Sequence, residues 1–96
     1  MARRANQVVV VVGHVSSADE LHQRLMTALE FPSFYGRNWD AFWDSIAGLV
    51  EMPRVLRLEG WPELAASLPR DAQLMKDCLE QMQREYPEQA ATVEYA

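Results

Sequence analysis

The chain has 96 residues, 49% hydrophobic and 24% charged, with a formal net charge of −5. That length makes a single domain over residues 1–96 with one modest core. The acidic balance excludes non-specific nucleic-acid binding, which needs clustered Lys and Arg, and leaves a basic partner or a solvated acidic surface.

Val8 to Val12 is β-branched throughout and does not alternate with polar residues. This predicts a strand buried on both faces, as in a parallel sheet covered by helices. Arg3 and Arg4 precede the run, but it stops at Gly13-His14 without a small-residue cleavage pattern, so no signal peptide is expected. It is too short to span a membrane. A cytoplasmic protein without membrane contact is expected.

Ser17-Ala18-Asp19-Glu20 reads as a capping box, opening a helix whose apolar positions Leu21, Leu25, Ala28 and Leu29 share one face. Pro32 marks its end. Ser33 to Arg37 is a loop, with Gly36 the residue free to take a positive φ. Asn38 caps a second helix, in which Trp39, Phe42, Ile46, Leu49 and Val50 form the core stripe. Asp40, Asp44 and Glu51 project away from it, and Trp43 lies between the two faces. Pro53 breaks the pattern.

Arg54 to Leu58 reads as a second strand and Gly60-Trp61-Pro62 as a turn. Glu63 to Leu68 is a short helix. A longer helix begins at Arg70 or Asp71, with Leu74, Cys78, Leu79 and Met82 inward, and ends near Tyr86-Pro87. Ala91 to Tyr95 is a last strand. The fold class is therefore α/β: a small three-stranded, mostly parallel sheet covered by about four helices.

No catalytic or metal-ligating residue emerges, and no cofactor is implied. Asp40 and Asp44 lie near a helix N-terminus, where the dipole favours both anions and opposes an acid–base division of labour. A metal would want more oxygen ligands than the surrounding aromatics offer. His14 reads as a polar loop residue and His22 as partly packed. The single cysteine, Cys78, cannot form an internal disulfide, suits a reducing compartment and reads as a structural thiol. Phe34 and Trp43 are hard to place in a core. With Asp40 and Asp44 they fit an interface hot spot or a solvated helix face, and the residues alone leave both open.

Tyr35-Gly36-Arg37-Asn38-Trp39-Asp40-Ala41-Phe42-Trp43-Asp44 closely resembles the central segment of the barstar family of intracellular ribonuclease inhibitors. Asp19-Glu20-Leu21-His22-Gln23, Leu29 to Pro32 and Gly48 to Pro53 extend the resemblance, which is good over residues 17–58 and weak elsewhere. It implies a barstar-like fold and a non-catalytic inhibitor that blocks the basic active site of a secreted barnase-type ribonuclease. Such an inhibitor acts as a monomer in a 1:1 complex, in an antitoxin or immunity role. The alternative is a barstar-like binder of a different basic partner or nuclease toxin.

Carried over by position, the implied surface is Phe34, Asn38, Asp40, Trp43 and Asp44, shaped by Tyr35 and Gly36, with Gly48 and Glu51 at its edge. Glu80 is the candidate for a further acidic contact on the last long helix. Phe34 stands where the family pattern has tyrosine. Arg37 brings a positive charge that a basic enzyme would repel unless it points away.

Overall fold

The computed structural model describes residues 4–96; residues 1–3, with Arg3 of the basic pair, lie outside it. The elements are β1 (Gln7–Val11), α1 (Ala18–Leu29), α2 (Trp39–Asp44), a π-helical turn (Ser45–Leu49), β2 (Val55–Glu59), α3 (Trp61–Ser67), α4 (Pro69–Glu85) and β3 (Thr92–Tyr95). The expected order of strands and helices is therefore present.

The sheet is parallel in the order β1-β2-β3, with Val8 beside Leu56 and Leu56 beside Val93. Parallel crossovers are almost always right-handed. Two taken in the same direction put all the helices on one face. Burial follows that rule and corrects the reading of β1. Val10 and Val12 are 2% and 0% exposed, whereas Val9 and Val11 are 46% and 48% exposed. The β-branched run satisfies strand propensity, but its odd-numbered residues face solvent. On the same open face Arg57 bridges Glu59 at 3.2 Å and Glu94 at 3.3 Å.

Under the helices, Leu21 and Leu25 of α1, Phe42 of α2, Leu56 and Leu58 of β2, Leu64 of α3 and Met75 of α4 are all completely buried. Each such side chain contributes roughly 1.5–3 kcal/mol of burial. Phe31 meets Phe42 edge-on at 5.8 Å, which fastens the loop after α1 to this core. The inward face of α4 is Ala72, Met75, Leu79 and Met82; Leu74 and Cys78 are only half-buried, so the helix is rotated from the expected phase.

Local signals account for the boundaries. Ser17 Oγ accepts the Glu20 N–H at 3.1 Å, while the Glu20 carboxylate turns to Ser16 Oγ and to Arg24. Glu30 ends α1 in the left-handed region. Gly60, at φ 83, lies so close to Gly13 that a Cβ there would stand 2.6 Å from the Gly13 backbone. Two bare backbones are needed where β1 and β2 exit the sheet. Arg4 donates to the carbonyls of Met52, Pro53, Glu88, Gln89 and Ala90, tying the segments before β2 and β3 together. No helix of the described residues is long and apolar enough to cross a membrane.

Candidate partner-binding surface

The loop before α2 is built on α1. His22, on the inner face of α1, is 2% exposed, and its Nδ1 hydrogen-bonds the Tyr35 hydroxyl at 2.5 Å. Tyr35 is thus anchored on a side chain rather than on backbone, as a buried support beneath the loop. Its ring also packs on Phe31 at 4.9 Å. Burial pushes the Tyr35 phenol up and the His22 imidazole down, so both are neutral at physiological pH.

Asn38 then starts α2. Its Oδ1 accepts the Ala41 N–H at 2.7 Å and its Nδ2 donates to the Gly36 carbonyl at 3.2 Å. The second bond folds the loop back onto the cap. A Cβ on Gly36 would crowd that amide at 3.3 Å, which is where its lack of a side chain matters. The positive φ expected at Gly36 falls instead on Arg37, at 53°. Arg37 lies against α1, with Nη1 donating to both oxygens of Asp19 at 3.0 and 3.1 Å. Trp39 packs on His22 in a tilted arrangement at 4.2 Å and donates its indole N–H to Asp71 of α4 at 2.9 Å. These contacts join α1, α2 and α4 into one rigid support.

The outer face carries the candidate binding groups. Phe34 is 75% exposed. Asp40 and Asp44 are exposed one turn apart on α2. Among the described residues neither pairs with a cation; the acidic partners in the ion pairs are Glu63, Glu20, Asp19, Glu59 and Glu94. Trp43 is half-buried, its ring 6.4 Å from that of Tyr86.

After Asp44 the helix widens, and the Val50 N–H bonds the Ser45 carbonyl at 3.0 Å, five residues back. This turn corrects the expected core stripe. Ile46 and Ser45 point inward, whereas Leu49 is 52% exposed. The wider turn rotates the residues that follow it away from an α-helical phase. Gly48, Leu49 and Glu51 therefore form an exposed edge continuous with Asp44, beside a cleft of about 530 Å³ lined also by Arg4 and Met82. Leu49 is the site candidate that helical periodicity concealed.

Glu80 lies toward β3. Burial and then the Glu80 carboxylate push the Tyr95 phenol up to about 12, and Lys76 lies 5.3 Å above the same ring. Glu80 thus belongs to the flank of α4 facing β3. The flank facing α2 carries Cys78, whose Sγ is 3.8 Å from the Trp39 carbonyl. Burial pushes that thiol up, followed by the charges of Asp77 and Asp40. Asp77, the residue before Cys78, is an exposed carboxylate of the same stretch of α4. Among the described residues no group of three or more His, Cys, Asp or Glu side chains is placed to hold a metal ion.

Comparison with known proteins agrees with this architecture. YrdF of Bacillus subtilis (strain 168), named "Putative ribonuclease inhibitor YrdF", is 46% identical over 41 residues. The matched segment spans 43% of this chain and 45% of that relative, so less than half of either. The family model described as Barstar (barnase inhibitor) matches residues 5–95. With that match running through all three strands and all four helices, the chain belongs to the barstar family.

Proposed function

We propose that this protein is a non-catalytic inhibitor of a secreted, basic ribonuclease of the barnase class, held in the cytoplasm of the cell that makes the enzyme as its antitoxin or immunity protein. The observation that carries this reading is the pair Asp40 and Asp44: exposed, one turn apart, and without an internal cation among the described residues. Carboxylates left free on a rigid helix suit a partner that supplies Arg and Lys. A ribonuclease active site does so, because it binds RNA phosphate. Carboxylate oxygens offer the same acceptors to a guanidinium.

Phe34 and Trp43 supply apolar area around the charges, and Asn38 and Gly36 hold the loop that presents them. Gly48 and Glu51 extend the contact past the π-helical turn. On α4 the exposed Asp77 joins Glu80 as a candidate for the additional acid. The net charge of −5 speeds encounter with a basic enzyme and makes it salt-dependent. The complex is 1:1.

The test is titration into a guanyl-specific secreted ribonuclease while RNA cleavage is followed. Stoichiometric inhibition is expected. Asp44→Ala leaves a partner cation buried and unpaired, at about 3–5 kcal/mol. That raises Kd by at least about 100-fold. Because Asp44 is exposed, thermal unfolding should not change. Full inhibition by Asp44→Ala would sink the proposed surface. A second reading, a barstar-like binder of another basic protein or nuclease toxin, draws support from Phe34, which lacks a hydroxyl. It predicts no inhibition of that enzyme while Asp44 remains essential for capturing a basic partner.

A further inference from the structure

Arg37 has two features that run against its place. It brings a positive charge into an acidic surface. Its backbone sits at φ 53, a left-handed conformation that is costly for a residue with a Cβ. Its side chain accounts for both. The guanidinium grips both oxygens of Asp19 and also donates to Gln23 Oε1. Asp19 and Gln23 are one turn apart on α1, so the planar fork lies along a regular helix.

Two residues earlier, Tyr35 is anchored on His22 of the same helix. One residue later, Asn38 caps α2. The loop is therefore pinned to α1 at two points on either side of Gly36, with Phe34 just outside the first.

We propose that Arg37, Asp19 and Gln23 form a positioning clamp that holds the 33–38 loop in its partner-ready shape and pairs the Arg37 charge within the chain. The functional part rests on the ribonuclease-inhibitor reading above. Ordering this loop before encounter removes a cost that binding would otherwise have to meet. Pairing Arg37 with Asp19 keeps the face acidic toward a basic partner. Arg37 is thus a positioning residue whose effect passes through α1.

The two possible roles of Arg37 predict opposite signs. If it positions, Arg37→Ala and Asp19→Ala each weaken inhibition by about fivefold, the upper range for an exposed ion pair. The double variant is then no worse than either single one. Arg37→Lys, which keeps the charge but not the fork, does not restore affinity. In the free protein, amide hydrogen exchange at residues 34–38 becomes faster in each variant while the core is unchanged.

If Arg37 acts only as a charge, Arg37→Ala strengthens inhibition, Asp19→Ala weakens it, the two effects cancel in the double variant, and loop exchange is unaltered. That pattern overturns the clamp. Should the unsubstituted protein fail to inhibit, the functional reading falls by itself. Exchange in the free protein still decides the clamp, supporting it if the loop loosens and removing it if the loop does not.

Discussion

Gly48→Ala separates folding from recognition. Gly48 lies exposed within the π-helical turn Ser45–Leu49, and its φ is not in the left-handed region. A Cβ built on it meets nothing within 4 Å. Neither space nor backbone conformation in the free chain calls for glycine there. Glycine inside a helix costs about 0.5–1 kcal/mol relative to alanine. The substitution should therefore stabilise the free protein by up to about that amount. For a domain of this size ~1 kcal/mol is worth about 4–8 °C, so Tm should rise by roughly 2–8 °C.

A partner packed on the bare backbone would meet the new methyl group. Overpacking costs about 1–3 kcal/mol, which raises Kd by roughly fivefold to 150-fold. Thermal unfolding of the free protein and an inhibition titration read the two effects separately. Opposite signs are expected: higher Tm, lower affinity. A higher Tm with unchanged affinity would remove Gly48 from the interface. A lower Tm would refute the argument that the free chain does not require glycine.

Three further outcomes complete the set beside the Asp44 and Arg37 tests above. Asp77→Ala should weaken binding, and more at low salt than at high salt, while Glu80→Ala, one turn further along α4 and nearer β3, should weaken it less; the reverse ranking would mean that the partner approaches from the β3 side. Stability should fall on mild acidification because burial holds the His22 pKa below its ordinary 6.5 against the opposing charges of Asp71 and Asp19. As pH drops through 6.5 the unfolded chain protonates first, so stability is complete above that value and declines toward the lower native one. Denaturant titrations at about pH 7.5 and about pH 5.5 should show this decline, with a smaller one in His22→Gln, and equal slopes would remove His22 as its source.

The amino-acid sequence by itself determined the element order, because each boundary carries a local signal. Ser17 and Asn38 cap the helices that follow them, Pro53 stops the second helical segment, and the β-branched run before Gly13 has little alternative to a strand. The segment from Tyr35 to Asp44 likewise announced its family through residue identity alone. Asp40 and Asp44 needed only helical spacing to share an outward face.

What lies across the chain from a residue was not written locally. Helices on one side of the sheet left Val9 and Val11 in solvent, although their side chains match those of Val10 and Val12. The π-helical turn put Leu49 outside and so extended the candidate surface, a shift invisible to a pattern that assumes one helical period. The relation between Glu80, Asp77 and α2 depended on how α4 is rotated. That rotation is set by Met75 in the core and by the Trp39 to Asp71 hydrogen bond. Arg37 read as a stray charge until the fold brought Asp19 within 3.0 Å. Local propensity needs only neighbours in sequence, whereas burial, helix rotation and ion pairing depend on groups that meet only when the chain has closed on itself.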